Sequence, residues 1–333
     1  MAILIVTHST DNESPRAVAR ALEARGERVY RFDTDLFPTD IQLSLDEGGS
    51  GRLSGPAGVL ELSDVSAVWY RRNSIGTRIP PEVDPQLRQP SLEESRRVVL
   101  GMIAALGVFQ LDRLEVLRRA EHKPLQLKLA RALGLEVPRT LMTNDPEAVR
   151  AFARSCPQGV VTKMMASFAV YGERGEEQVV FTTPLDERHL EDLEGLDLCP
   201  MTFQERVEKA LELRVTVVGD RVMAASIDSQ AKPRAREDWR REGLALVDSW
   251  RPYTLPEPVR VRVLALMDAL GLNYGAFDFI VTPEGRHVFL EVNPVGEFMW
   301  LMRNPGLPIH EALADVLTGR GAARSGIQAG KCA

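Results

Sequence analysis

Two acidic side chains lie opposite each other in a hairpin that the sequence predicts near its C-terminus. Strand-like segments flank a turn of four residues at 283–286. Pairing Thr282 with His287 across this turn sets Asp278 directly opposite Glu291, because the residues step back in register along both strands. Like charges in such a position destabilise a sheet. The pair therefore needs a cation, a shared proton or an arginine partner.

The chemistry of this hairpin favours Mg²⁺. Asn293 shares a face with Glu291, because side chains two apart in a strand point the same way. Two carboxylates and an amide supply oxygen, which suits Mg²⁺ better than zinc or copper. Mg²⁺ held by few protein ligands usually also binds phosphates. We therefore predict that Asp278, Glu291 and Asn293 hold a magnesium ion.

Basic residues in two other strands could bind the phosphates. Lys163 lies in the otherwise apolar segment 160–165, and burying a lysine without an anion is costly. Glu212 and Arg214 lie on one strand face, where the arginine could bind phosphate or carboxylate bidentately. Each has a simpler alternative: Lys163 could extend from an edge strand into water, and Arg214 could form a cross-strand ion pair.

Two further segments could contact an acidic substrate. The run 230–241 is basic and loop-like and has an aromatic residue beside an arginine, although such runs are usually solvated faces. An arginine pair follows the strand at 67–70, at the end of the strand where α/β domains commonly form sites. The residues singled out in these segments are Arg71, Arg72, Asp238, Trp239, Arg240 and Arg241.

Composition limits the classes of function. The chain has 333 residues and a net charge of −6, which argues against a nucleic-acid partner because such a partner requires a basic surface. No apolar run reaches the roughly 20 residues that span a bilayer, and we expect no signal peptide. Cys156, Cys199 and Cys332 are scattered, which fits the reducing cytoplasm and predicts neither disulfides nor a zinc site.

Strand and helix patterns change along the chain. The first hundred residues or so alternate strands and helices, as in a small α/β domain. A helix at 122–133 and a mixed segment follow. From Met201 the pattern changes to long antiparallel strands, with 213–218 and 222–227 joined by a two-residue turn.

The order of these pieces resembles the ATP-grasp ligase superfamily, and more closely the microviridin-type maturases that cyclise ribosomally made peptides (graspetides). The shared pieces are a strand lysine, an adenine-contacting segment, an acid-x-arginine strand and a terminal metal hairpin. The likeness covers nearly the whole length. It rests on segments 68–72, 123–130, 134–146, 161–164, 203–227, 238–241 and 275–298. The Trp-Tyr-Arg-Arg and Asp-Trp-Arg-Arg pieces, at 69–72 and 238–241, narrow the resemblance to peptide maturases.

The resemblance implies the ATP-grasp fold, an α/β (α+β) architecture. We expect an N-terminal α/β pre-ATP-grasp domain at 1–115 and a central ATP-grasp subdomain at 116–200. A C-terminal antiparallel-sheet subdomain at 201–322 would carry the magnesium site, followed by a disordered tail at 323–333. The segment 167–178 is expected to cover the site.

The resemblance also implies a reaction in two steps. A Glu or Asp side chain of a precursor peptide attacks the γ-phosphate of ATP, giving an acyl phosphate and ADP. A Thr/Ser hydroxyl or a Lys amine of the same peptide then displaces phosphate and closes an ω-ester or ω-amide ring. A leader segment of the precursor stimulates the enzyme from a groove that we expect near 167–183 and 186–193. We also expect a homo-oligomer.

The functional residues of the family are carried over by motif. Lys163 and Lys123 would hold the phosphates, and Arg214 and Arg240 would steady the attacking carboxylate and the acyl phosphate. The residues expected around the adenine are Gln204, Glu205, Val207 and Glu212. Two alternatives remain open: an ATP-grasp amino-acid ligase or peptide glutamylase, and a non-catalytic peptide-binding module on the same scaffold.

Overall fold

A computed structural model describes residues 1–164, 169–171, 177–179, 182–231, 239–241 and 243–324. Helices and strands are mixed throughout this part of the chain, as the sequence predicts. The expected covering segment at 167–178 and the expected tail at 323–333 lie largely outside the described residues. Among the described helices, none combines the length and the apolar character needed to cross a bilayer.

The N-terminal part is a parallel sheet between helices. Its elements are β1 (Ala2–Thr7), α1 (Glu13–Glu23), β2 (Arg28–Asp33), β3 (Gln42–Leu45), β4 (Gly51–Gly55), β5 (Gly58–Glu61), β6 (Val65–Tyr70), α2 (Pro85–Ala105), β7 (Phe109–Gln110) and α3 (Leu114–Ala120). The parallel strands follow the order β2-β1-β6-β7, and β3, β4 and β5 form a separate antiparallel sheet. Strand β1 is apolar from Ala2 to Val6 because its alternate side chains enter different cores. Ile3 and Ile5 pack in the cluster that includes α1, and Leu4 and Val6 pack in the cluster that includes α2.

Within the residues that the structure describes, the central part contains a four-stranded antiparallel sheet, a separate two-stranded sheet and three helices. Its elements are α4 (Lys123–Ala132), β8 (Thr140–Thr143), α5 (Pro146–Arg154), β9 (Val160–Lys163), β10 (Ala169–Tyr171), β11 (Glu177–Val179), β12 (Thr183–Pro184), α6 (Glu187–Glu191) and β13 (Met201–Glu205). The sheet order is β12-β9-β13-β8. Because β9 has a neighbour on each side, Lys163 does not belong to an edge strand, and it pairs with Thr202.

The C-terminal part is an antiparallel sheet packed on helices. Its elements are β14 (Leu211–Val218), β15 (Arg221–Ile227), β16 (Arg251–Tyr253), α7 (Glu257–Leu270), β17 (Tyr274–Val281), β18 (His287–Asn293), α8 (Met299–Arg303) and α9 (Ile309–Leu317). The strands follow the order β16-β15-β14-β17-β18. Phe277, Phe279 and Phe289 are buried with the apolar residues of α7 in one core. The opposite face of the sheet is therefore the one that can hold polar side chains.

Ion pairs join the first and last parts of the chain. Arg25, just after α1, contacts Asp315 at 2.6 Å and Glu311 at 2.7 Å, both on α9. The domain limits themselves stay a prediction, and the limit placed after residue 115 falls inside α3. This short helix was not predicted from the sequence.

Candidate active site

A row of charged side chains crosses the C-terminal sheet. Arg214 of β14 pairs with Asp278 of β17, which pairs with Glu291 of β18. The Arg214 Nη1 donates to both carboxylate oxygens of Asp278, at 3.0 and 3.1 Å. At the end of the row, the Lys123 Nζ lies 2.7 Å from Glu291 Oε2. The predicted facing carboxylates are confirmed, and each has a cation beside it.

This row lies in a cavity of about 480 Å³ between the C-terminal and central sheets. Lys123 enters it from the start of α4 and Lys163 from the end of β9. The predicted site residues that line the cavity are Lys123, Lys163, Gln204, Glu205, Val207, Glu212, Arg214, Trp239, Asp278, Glu291 and Asn293. The structure therefore brings together every residue predicted for nucleotide and metal, although their individual roles stay predictions.

The register predicted for the hairpin is wrong at its turn and right at its centre. Val281, and not Thr282, pairs with His287. A β-bulge further along the hairpin compensates for this one-residue difference, so Asp278 still pairs with Glu291. The correct pair was thus predicted from an incorrect turn, because an irregularity that sequence spacing does not reveal restored the register.

The bulge has a physical effect on the site. Phe279 pairs with Phe289, so Leu290 is the extra residue before Glu291. Phe289 stays in the apolar core, while Leu290 and Glu291 both line the cavity. Strict alternation would turn one of these two neighbours away from the cavity.

A buried amide fixes α4 against β18. The Gln126 Nε2 donates to the carbonyl of Val292 at 2.8 Å, and its Oε1 accepts from the Val292 N–H at 3.0 Å. The Gln126 side chain is fully buried. Because Lys123 lies one turn before Gln126 and Glu291 precedes Val292, these bonds hold the lysine beside the carboxylate. Gln126 was not predicted from the sequence, since a helical glutamine carries no local signal for a partner so far along the chain.

Positive charge keeps Glu291 ionised. Burial raises the pKa of this carboxyl group, whereas the nearby charges of Lys123 and Lys163 lower it. Arg214 adds to the lowering, and together these cations hold the pKa of Glu291 at about 2. At neutral pH the group is therefore a carboxylate that can bind a metal ion.

The donor set fits Mg²⁺. Asp278 and Glu291 supply carboxylate oxygens, and the Asn293 side-chain oxygen accepts one hydrogen bond, from the Val295 N–H at 3.1 Å. Each carboxylate has about four lone-pair sites and the amide oxygen two, so all three can accept a hydrogen bond and still ligate a metal. Within the described residues there is no group of three or more His, Cys, Asp or Glu side chains that could hold a metal ion.

The segment from β13 to β14 supplies polar groups to the same cavity. The buried Gln204 Nε2 donates to Thr140 Oγ1 at 2.9 Å, so the side chain of Gln204 is used within the protein. The Val207 N–H donates to no backbone carbonyl of the described residues, which leaves it available to a ring nitrogen. Lys209, which the sequence analysis missed, lies 3.1 Å from Glu212 Oε1 and also lines the cavity.

Trp239 belongs to an aromatic cluster next to Arg214. Its ring centre lies 5.2 Å from that of Trp250 and 5.5 Å from that of Trp300. The Arg214 guanidinium lies 5.3 Å from the centre of the Trp300 ring, within the range of a cation–π contact. The cluster thus forms an apolar support for the arginine, and Trp239 and Trp250 line the cavity.

The rest of the predicted basic run is only partly described. Asp238 and the side chain of Arg240 lie outside the described residues. The Arg241 Nη2 donates to the carbonyl of Thr182 at 2.9 Å. Arg241 therefore connects this run to the segment that precedes β12, and its predicted contact with substrate stays a prediction.

The two arginines after β6 have different surroundings. The side chain of Arg71 is 2% exposed and lies 2.9 Å from Asp11 Oδ2 and 2.5 Å from Glu297 Oε2. Arg72 is 38% exposed and lies 3.3 Å from the same oxygen of Glu297. The structure thus gives Arg71 a linking position between the segment after β1 and the loop after β18. Both arginines were predicted to contact the substrate. Of the two, it is mainly Arg72 whose guanidinium group is accessible for such a contact.

Glu297 is the acidic centre of this link. Burial raises the pKa of its carboxyl group, but Arg71 and the backbone N–H groups of Met299 and Phe298 outweigh burial and bring the pKa to about 2. Glu297 Oε1 also accepts from Ser14 Oγ at 2.8 Å. One carboxylate therefore contacts the start of α1, the end of β6 and the start of α8.

A second cavity, of about 370 Å³, adjoins the first. Glu121 and Val295 line both cavities. The other residues that line the second cavity are His8, Tyr70, Arg71, Arg72, Asn73, Leu100, Leu114, Leu117 and Arg118. The geometry is therefore a charged cavity next to a partly apolar one, with a shared wall.

Comparison with known proteins places this geometry in a family. The sequence model of the MvdD pre-ATP grasp domain matches residues 2–118. The macrocyclase MdnC from Microcystis aeruginosa MRC, solved with its precursor peptide MdnA, is 48% identical; the match covers 96% of this chain and 100% of MdnC, with a TM-score of 0.88. A RiPP-associated ATP-grasp ligase from Chryseobacterium gregarium, solved with ADP, a leader and a core peptide, is 38% identical over 97% of this chain and 98% of that one, with a TM-score of 0.92.

A solved structure of lower sequence identity also matches nearly the whole chain. The ATP-grasp ligase PsnB, solved with a phosphomimetic precursor variant, Mg and ADP, is 25% identical over 95% of this chain and 98% of that one, with a TM-score of 0.75. A search of curated proteins found no match. The full-length similarity to MdnC and to the Chryseobacterium ligase decides the assignment: this chain belongs to the ATP-grasp peptide macrocyclases and ligases that modify ribosomally made precursor peptides.

Proposed function

We propose that this ATP-dependent peptide macrocyclase phosphorylates a Glu or Asp side chain of a precursor peptide and joins it to a Thr/Ser hydroxyl, or a Lys amine, of the same peptide. The observation that carries the proposal is the cavity in which Lys123, Lys163 and Arg214 surround Asp278 and Glu291. Triphosphate and carboxylate are both anions. Bringing them together requires fixed positive charge in a site that excludes water.

Lys123 and Lys163 are assigned to the phosphates. The Lys123 ammonium has three donor hydrogens, and its contact with Glu291 uses one of them. Asp278, Glu291 and Asn293 are assigned to Mg²⁺, which they would hold and which would offset the negative charge of the phosphates. The adenine is assigned to the segment from Gln204 to Val207 and to the nearby Glu212, with the Val207 N–H as the donor to the ring.

Arg214 is assigned to the reacting carboxylate. Asp278 and the Trp300 ring hold its guanidinium in place, so the remaining N–H groups are oriented before the peptide arrives. Arg240 is assigned to the acyl phosphate, and Arg72, Asp238, Trp239 and Arg241 to the peptide. We also propose that a leader segment stimulates the reaction from the region around 167–193.

The test is a reaction with candidate precursor peptides that carry Thr/Ser and Glu/Asp residues. We expect ADP release together with the loss of one water per ring, measured by mass spectrometry, and faster turnover when the leader is present. ADP release that depends on a free amino acid, with a gain of mass in the product, would support an amino-acid ligase instead. Absence of ADP with every peptide and amino acid would support a non-catalytic peptide-binding module.

The cellular compartment and the oligomeric state of the protein are further parts of the proposal. Cys156 and Cys199 are free thiols, which supports a reducing cytoplasm. We retain the homo-oligomer as a proposal, for which sedimentation of the purified protein is the test. A monomer at working concentrations would contradict it.

A further inference from the structure

Ring closure on a hydroxyl group requires a proton acceptor. In that step the hydroxyl oxygen bonds to the acyl carbon, the bond from that carbon to the phosphate oxygen breaks, and phosphate leaves with the electron pair. The hydroxyl proton must go to a base. We propose that Glu121 is this general base, an assignment that rests on the acyl-phosphate reaction under Proposed function.

The position of Glu121 is the first argument. It follows the last residue of α3 and precedes Lys123 by two residues. Its side chain belongs to the wall that the charged cavity shares with the second cavity. A hydroxyl that approaches the acyl phosphate from the second cavity would therefore pass this carboxylate.

The second argument is that the other carboxylates of the charged cavity have cation partners or a different location. Asp278 is bonded to Arg214, Glu291 to Lys123, and Glu212 to Lys209. Glu205 lies at the end of β13 and does not line the second cavity.

Glu121 differs from all of these. In the described part of the chain, its carboxylate forms no ion pair or side-chain hydrogen bond. A carboxylate without a bonded partner has its lone pairs open to the proton of an incoming hydroxyl group.

The second cavity indicates the kind of peptide segment that would present the hydroxyl. Leu100, Leu114 and Leu117 give it an apolar side, and Arg72 and Asn73 give it a polar edge. These walls fit a Thr- or Ser-bearing stretch with an aliphatic neighbour. The acidic residue to be activated would lie in the charged cavity, on the other side of Glu121.

The experiment separates the two half-reactions of a Glu121→Gln variant with hydroxylamine. Hydroxylamine is a strong nucleophile that traps an acyl phosphate as a hydroxamate without a base from the enzyme. We expect hydroxamate formation within about twofold of the wild type, and ring closure slower by about 100-fold, since positioned general bases typically contribute that much or more. Glu115→Gln, an exposed change on α3 outside both cavities, is the control and should leave both rates unchanged.

Several results of this experiment would contradict the proposal, and each would contradict a different part of it. Equal loss of hydroxamate and ring formation in Glu121→Gln, or no loss of either, would overturn the assignment to Glu121. A selective loss of ring closure in His8→Asn instead would move the base to the histidine of the second cavity and likewise overturn it. No hydroxamate from the wild-type enzyme, despite ADP release with peptide, would overturn the acyl-phosphate reaction itself.

Discussion

The two cavities differ in how their walls are held. Arg214, Asp278 and Glu291 lie side by side because three neighbouring strands are in register. The second cavity depends on side-chain ion pairs between distant segments, above all that between Arg71 and Glu297. A charge in the first cavity can therefore be removed with the backbone intact, whereas a charge beneath the second also holds distant segments of the chain together.

The largest effect is expected in the first cavity. Glu291→Gln should slow ring closure by about 1,000-fold or more, because it removes a proposed metal ligand and a charge that faces Lys123. The fold should persist, since the strand pairing does not depend on this side chain. Mass spectrometry of the peptide product measures the loss, and thermal unfolding measures the fold. Glu284→Gln in the exposed turn of the same hairpin is the matched control; ring closure at the wild-type rate in Glu291→Gln would refute the metal assignment.

Breaking the ion pair beneath the second cavity should lower the stability of the folded protein. Glu297→Gln leaves Arg71 buried with one carboxylate partner fewer, which should lower the free energy of unfolding by about 3 kcal/mol. Denaturant unfolding at neutral pH measures this loss. An unchanged midpoint would mean that the ion pair does not hold the two segments together, and the contrast between the cavities would fail.

The same residue predicts a pH dependence. The pKa of Glu297 is lowered from 4.5 to about 2 in the folded protein, so its contribution to stability is present above pH 4.5 and is lost as the pH falls towards 2. The stability difference between wild type and Glu297→Gln should therefore narrow across that interval. A difference that stays constant down to pH 2 would assign the effect to shape and not to charge.

A smaller effect is expected from a change at the contact between α4 and β18. Gln126→Leu removes the bonds to both backbone groups of Val292 and should cost about 2 kcal/mol in stability, since buried polar groups lose their partners. Ring closure should slow by about tenfold, because Lys123 is no longer held beside Glu291. The Michaelis constant for ATP, measured with saturating peptide, should rise; a loss of stability with unchanged ATP kinetics would make Gln126 purely structural.

The smallest effect is expected at the edge of the second cavity. Arg72→Gln should raise the Michaelis constant for the peptide by about threefold, because a partly exposed charge contributes less than about 1 kcal/mol. The constant for ATP should stay the same, since Arg72 does not line the charged cavity. A change in the ATP constant alone would remove Arg72 from the peptide side.

The sequence predicted the first cavity better than the second for a physical reason. Strand periodicity and a turn signal suffice to place Asp278 near Glu291. Lys163 and Arg214 stood out from their strand context, and the family resemblance added Lys123 and the roles of all three. The spacing of residues in the sequence does not predict the bulge at Leu290. It depends on how Phe289 packs in the core of the folded protein.

Contacts between residues far apart in the chain could not be predicted from the sequence. Arg71 and Glu297 lie 226 residues apart in the chain, and Gln126 and Val292 meet only when α4 packs against β18. Their residue types are common on protein surfaces, so no local pattern distinguishes them. Trp239 was predicted as a substrate anchor, but its packing against Trp250 and Trp300 becomes visible only in the folded chain.

The most direct test of the central claim follows the oxygen atoms of the peptide carboxylate. A precursor whose reacting Glu side chain carries heavy oxygen is incubated with ATP, Mg²⁺ and the enzyme, and the released phosphate is analysed by mass spectrometry. Transfer of one labelled oxygen to phosphate for each ring closed is the expected result, because phosphate leaves the acyl carbon together with an oxygen of the original carboxylate. Ring closure with unlabelled phosphate would contradict the account.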